Sequence, residues 1–312
     1  MKHIKIIVII LLITLSTNSF AETWNEPWQK EIIQHAEYFV FGKVISNDET
    51  GARIKIIKSF SDGISGEILV NGFSMLNLMS SSGHGLHLNF EKDQLLYLFL
   101  NKREDGNFAI PTPTSGYATI DEKNNVLATY RHSYHQASVP KEIYELTYSE
   151  IWKYQKFKKY DKEKINNFID KQLAKNPAGF GEGEVATFFL QHVAMETAYL
   201  LDKPLELKKV EKHITSDNFH SRISALQSLT GNNNEISKEY LFNFIKNEKN
   251  GNFEKVIAIW ALKKTDPSYD FRLKQLSKDL SDEDTGFGGN IMDPRIGTHF
   301  PTPKSAAGFY EK

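Results

Sequence analysis

Apolar and polar positions follow two rhythms along this chain, and the change falls near Pro140. From Tyr38 to Arg131, short apolar runs alternate with turn residues. "YFVFGKVI" is bounded by "SNDETG". "RIKIIKSF" places Ile54 and Ile56 on one face and Arg53 and Lys55 on the other. "EILVNGF" follows "SDGISG", and "QLLYLFLN" is apolar on both faces, as a central strand would be. "YATI" and "NVLATYR" flank "DEKNN", a hairpin turn. Enrichment in β-branched and aromatic residues, with turn signals about ten residues apart, predicts an all-β barrel or sandwich.

After Pro140 the period becomes helical. Thr147 and Glu150 in "TYSEIWKY" have the spacing of a capping box, which predicts a helix start there. Ile165, Phe168, Ile169 and Leu173 share one helical face. "NPAGFGEGE" interrupts the pattern and "VATFFLQHVAMETAYLL" resumes it. Helices are then expected at "PLELKKVEKHI", "FHSRISALQSL", "SKEYLFNFI", "EKVIAIWALKK" and "PSYDFRLKQLSKDL", with Pro204 and Pro267 near helix starts. Ile223, Ala225, Leu226 and Leu229 recur 33 residues later as Val256, Ala258, Ile259 and Leu262. Leu241 and Phe244 recur 32 residues later as Leu273 and Leu276. A period in the low thirties with two helices per unit indicates stacked helical hairpins.

The first residues change the picture of where the chain works. "MKHIKIIVIILLITLSTNSFA" has Lys2 and Lys5 in front of an apolar run from Ile6 to Leu15. It ends in small residues at Ser19 and Ala21, the order of a cleavable signal peptide with a cut after Ala21. The run is about half the length a bilayer-spanning helix needs. The expected product is a periplasmic or secreted protein with no membrane insertion after signal removal. It has no cysteine, so stability must come from apolar cores rather than disulfides. The formal charge of −1 leaves no basic field for nucleic acid or anionic lipid.

Candidate chemistry is sparse. His84 and His87 in "GHGLHLNF" and His132 and His135 in "RHSYHQ" are two pairs of equal spacing. Zinc needs three or four ligands, so the pairs would have to meet in the fold. The plainer reading is solvated loop histidines, or one hydrogen bond at a barrel rim. Ser80, Ser81 and Ser82 stand beside His84 without a nucleophile elbow. "GFGEGE" and "GFGGN" lack the lysine and the strand-to-helix setting of a phosphate loop. "KYQKFKKYDKEK" reads as a solvated helix face with lysine stems over aromatics. No catalytic residue and no cofactor is assigned.

Within residues 33 to 131 the chain resembles the netrin-like module, the OB-type barrel shared with tissue inhibitors of metalloproteinases. The resemblance rests on Ala36, Glu37, Gly42 and Val44 in "HAEYFVFGKVI". It continues in Phe60 and Gly63 of "IKIIKSFSDG", and in Phe90 and Tyr97 of "FEKDQLLYLFL". The family's zinc-binding amino-terminal cysteine has no counterpart, and Asp93 stands where a glycine is common. "SRISALQSL" and "EKVIAIWALKKTDP" resemble HEAT-type repeats, a likeness that implies a scaffold for protein contacts.

The expected fold class is therefore multidomain β + α: a small OB-like β-barrel followed by a HEAT-like array of helical hairpins. The expected divisions are a signal peptide over 1–21, a barrel over 22–140, helical repeats over 141–283 and an irregular tail over 284–312. Phe287, Phe300, Phe309 and Tyr310 leave that tail either docked or mobile. The functional expectation is a non-enzymatic interaction or scaffold protein of the cell envelope whose partner is another protein. Two alternatives stay open: an envelope enzyme or enzyme inhibitor with a site at the barrel–repeat junction, and a module binding a small molecule or metal.

Overall fold

The computed structural model describes residues 22–80, 87–285, 293, 295–297 and 300–308. Strands β2 (Tyr38–Asp48), β3 (Gly51–Ser59), β4 (Glu67–Phe73), β6 (Leu95–Lys102) and β7 (Phe108–Ile110) close into a barrel. The order is β6-β2-β3-β4-β7, with β7 pairing back onto β6. The β4–β7 pair is parallel and the other barrel pairs are antiparallel. From β6 the sheet extends outward through β8 (Tyr117–Ile120), β9 (Asn125–Thr129) and β10 (Gln136–Pro140). The β8–β9 hairpin turns on Asn124 at φ 62°, and the Asp121 carboxylate accepts from the amides of Lys123 and Asn125.

Alternation along β2 and β6 sorts side chains by kind. Val40, Val44, Leu96, Leu98 and Leu100 point inward with Ile54, Val70 and Ile110. Phe39, Phe41, Tyr97 and Phe99 point outward into a second core. Aliphatic groups fill the narrow barrel, and the larger rings are left on its outer face. Phe90 plugs the barrel and meets Tyr117 edge-on at 5.1 Å. At Gly42 an added Cβ would lie 2.6 Å from Ile54 Cγ2, beside a register shift in the β2–β3 ladder. Asp93 sits at φ 69°, a conformation glycine takes freely, and pairs with Lys43 at 2.7 Å.

Helix α2 (Lys141–Phe157) follows β10 without a loop. It starts six residues before the expected capping box, so Thr147 and Glu150 lie inside it. Pro140 ends the ladder and enters the helix, and the Thr147 hydroxyl bonds back to the Ile143 carbonyl. Tyr144, Tyr148, Ile151 and Trp152 cover the outward rings of the barrel. Ring centroids are 4.5 Å apart for Tyr97–Tyr144, 5.7 Å for Phe99–Tyr148 and 5.9 Å for Phe39–Trp152. Three of the buried phenols have a partner: Tyr97 with Glu145 (2.6 Å), Tyr130 with Thr147 (2.6 Å) and Tyr148 with the Thr129 carbonyl. The lysine-rich stretch holds Lys156 and Lys158 over Trp152 and Tyr154.

The helices beyond form two layers. Helices α4 (Val185–Leu200), α6 (Phe219–Ser228) and α8 (Asn252–Thr265) pack in succession. Helices α3 (Lys162–Leu173), α5 (Leu207–Ile214), α7 (Glu235–Lys246) and α9 (Tyr269–Leu276) back them. Asp161, Asn218 and Asn234 cap α3, α6 and α7 through their side chains. Ile223, Ala225, Leu226 and Leu229, like Val256, Ala258, Ile259 and Leu262, are fully buried. No helix among the described residues is long and apolar enough to cross a membrane.

The described part of the tail is docked. Ile296–Gly297 forms strand β11, parallel to β1 (Thr23–Asn25), and β5 (Leu78–Ser80) completes that small sheet. Phe300 packs on Phe253 and Trp260, and helix α10 (Pro303–Gly308) lies on α8. Phe287, Phe309 and Tyr310 lie outside the described residues. One apolar core runs from the barrel's outer face through the helices to Leu273 and Ala306, across the division at residue 140.

Trp152 sits at the centre of this shared core, so Trp152→Ala should cost about 3–5 kcal/mol. Equilibrium denaturation checks this, and a loss below about 1 kcal/mol would count against a shared core.

Candidate functional site

The four histidines do not form one site. His84 lies outside the described residues, as do Ser81 and Ser82. His87 is exposed, beside a shallow pocket of about 280 Å³ at the β2–β3 turn. His132 and His135 are buried instead of solvated, because the chain between β9 and β10 turns under the helices. Among the described residues no group of three or more His, Cys, Asp or Glu is arranged to hold a metal.

His132 donates from Nε2 to the Glu26 carbonyl at 3.1 Å, and its ring lies 5.3 Å from Trp28. Glu26 is itself buried. Its carboxylate accepts from the Trp24 indole, Thr112 and Thr114 at 2.7, 2.7 and 3.0 Å. These bonds anchor the segment that leads into helix α1 (Gln29–His35) and so place Trp28 and Lys30.

His135 belongs to a buried polar group at the junction. Its ring centroid lies 4.2 Å from His192 and 4.3 Å from His220. Beside them Arg131, at the end of β9, pairs with Glu196 of α4 at 2.7 Å, with side chains 1% and 0% exposed. Arg131 also donates to Ser224 of α6 at 2.6 Å. The Ser224 hydroxyl gives its proton to the His220 carbonyl, so His192 must donate to it from Nδ1 at 2.8 Å. Burial holds His192 and His135 well below the ordinary imidazole value, with Arg131 adding to the effect. Burial lowers His132 and His220 to about 4 as well, and His213, on α5, to about 4. Burial raises Glu196 while Arg131 opposes that rise. Arg131, Glu196, His135 and His192 are buried, while His220 is half-buried at the edge of the group beside Phe180. The group fixes how the helices sit on the barrel.

The accessible site lies next to it. A cleft of about 930 Å³ opens between α1, the C-terminal end of α4, α6, α8 and the docked tail. That volume lies at the upper end of the range usual for ligand pockets, about 300–1,000 Å³. Trp28 and Trp260 form an aromatic wall with centroids 5.9 Å apart, backed by Phe300 at 4.9 Å from Trp260. On the other side the Lys30 ammonium lies 4.8 Å from the Tyr199 ring centroid and pairs with Asp202. Burial lowers the Lys30 pKa, Asp202 opposes the shift and the neighbouring Lys264 ammonium adds to it. Gln227, 6% exposed, lines the cleft with an Oε1 that has no hydrogen-bond partner in the structure. Asp270 Oδ1 is unpartnered there too.

None of these cleft residues is marked by sequence motif. They come from five separate stretches of chain, and α1 is too short to show a clear period. Trp260 is a half-buried ring in a helix whose neighbours Ile259 and Ala261 are buried, which the sequence pattern does not mark. No known family, curated protein or solved structure matches this chain.

The buried imidazoles set an acid limit on stability. In the unfolded chain they take up protons near pH 6.5, and in the folded chain His132, His213 and His220 do so only near 4. The unfolded state therefore gains more protons as pH falls, and stability is lost downward from pH 6.5. Glu196 acts in the opposite sense but is one group against five. Denaturant titrations should show a falling unfolding free energy between pH 6.5 and 5, and a flat profile there contradicts this. Glu196→Ala should cost about 3–5 kcal/mol by stranding Arg131. Arg131→Met with Glu196→Leu should recover most of that loss in the same titration.

Proposed function

We propose that the chain is an exported, non-enzymatic protein of the cell envelope that holds a partner protein in the cleft between α1, the helical layers and the docked tail. Export is read from the amino-terminal sequence, with the mature chain beginning at Glu22. The barrel is read as OB-type and netrin-like. Counting only the closed strands, the order 1-2-3-5-4-1 with a parallel 3–5 pair supports the OB reading. The helical layers are read as HEAT-like hairpins, supported by the matching buried rows of α6 and α8. Repeat arrays of this kind offer extended surfaces for binding.

The single observation that carries the functional reading is the composition of the cleft. Aromatic walls, paired ammonium groups and a buried unpaired acceptor converge from α1 on one side and the helical array on the other. Interfaces that bind tightly centre on such anchors.

Thr230 lies half-buried on the cleft lining, so Thr230→Trp fills the cleft without removing a contact from it. Immobilised protein should retain a saturable partner from envelope extract, and Thr230→Trp should weaken that retention by about tenfold or more. Absence of a saturable partner, or retention unchanged by Thr230→Trp, contradicts the reading.

A further inference from the structure

Resting on the binding reading above, the geometry points to a defined occupant. We propose that the cleft captures the carboxyl-terminal end of a partner polypeptide, with the terminal carboxylate between Lys30 and Lys264 and the last apolar side chain against Trp28 and Trp260.

Charge is the first ground. Lys30 and Lys264 bring two ammonium groups together at one aromatic ring, Lys30 at 4.8 Å and Lys264 at 5.8 Å from the Tyr199 centroid. Asp202 serves Lys30 and is also bonded by the Tyr154 hydroxyl. Lys264 is exposed, and among the described residues no carboxylate lies within ion-pair distance of it. An incoming anion would bridge the two cations and relieve their repulsion, in a cleft whose low-dielectric walls strengthen the attraction.

The second ground is the unpaired acceptor. A buried amide oxygen without a donor carries a desolvation cost that a bound N–H removes. Gln227 Oε1 is such an atom, and the Gln227 amide stands beside the Tyr199 hydroxyl next to the lysines. Asp270, another residue of the lining, has a buried Oδ1 that is likewise without a hydrogen-bond partner. A free phosphate or simple acid satisfies the lysines but brings no N–H for Gln227. An internal loop brings N–H groups but no main-chain carboxylate.

The third ground is shape. Flat rings of Trp28 and Trp260, with Pro267 and Pro301, offer apolar surface along the same opening. A terminal residue carries all three groups on one unit: a carboxylate, an amide N–H and a side chain. A cleft of about 930 Å³ has room for several residues before it.

The test uses the full mature chain and pooled short random peptides, one pool with free carboxyl ends and one with amidated ends, selected by affinity and measured by calorimetry. Free-acid peptides with an apolar last residue should be enriched, and amidation should weaken each by about tenfold or more. Lys264→Gln should reproduce that loss and Lys264→Arg should retain binding; Lys264 is exposed, so neither change disturbs the core. Equal binding of amidated peptides, no enrichment from either pool, or binding of inorganic phosphate alone overturns the proposal. Competition separates the two readings. A partner blocked by Thr230→Trp but neither displaced by free-acid peptides nor weakened by Lys264→Gln leaves the binding reading standing and sinks this one.

Discussion

A small barrel cannot bury both faces of its own strands, and that constraint organises the rest of the molecule. β2 and β6 carry aliphatic residues inward and a row of rings outward: Phe39, Phe41, Tyr97 and Phe99. The rings must be covered by something outside the barrel. Helix α2 covers them with Tyr144, Tyr148 and Trp152, and it is delivered by the strand extension β8–β9–β10. Aromatic pairs of this kind add to simple burial, and the Tyr97 and Tyr148 phenols each reach a hydrogen-bond partner. Because β10 packs on α4, the seam also sets where the helical layers begin.

Apolar packing alone would leave the angle between barrel and helices loosely specified. The Arg131–Glu196 pair supplies a directional constraint. Its removal from water makes it a poor source of net stability, but each partner strongly penalises any arrangement that separates them. Arg131 further reaches Ser224, so one guanidinium ties the end of β9 to α4 and α6 together. The imidazoles around it, His135, His192 and His220, stay neutral because burial and the same guanidinium disfavour a second charge. With that angle fixed, α1 and α8 face each other across a gap, and the gap is the cleft.

Periodicity made much of this frame legible. The strands around Ile54, Val70 and Leu98 and the matching rows in α6 and α8 are set by local alternation, which a single sequence displays. The Thr147/Glu150 spacing misled, since a capping box is informative only where the chain enters a helix and Pro140 had already opened this one. The histidine pairs misled differently. His132 and His135 do stand in a loop, but that loop is not solvated, because helices that follow it in the chain bury it. The cleft was not legible at all. Trp28, Tyr199, Gln227 and Trp260 are unremarkable where they stand, and only the closing of the array on the barrel gathers them.

The central claim is that barrel and helices form one cooperative body, which holds α1 against the helical layers to make the cleft. Native-state hydrogen exchange on residues 22–312 tests it most directly. The slowest amides of β2 and β6 and those of α4 and α6 should open with the same free energy and respond equally to denaturant. If the helical amides exchange through a far less costly opening while the barrel stays protected, the halves are separate bodies and the account fails.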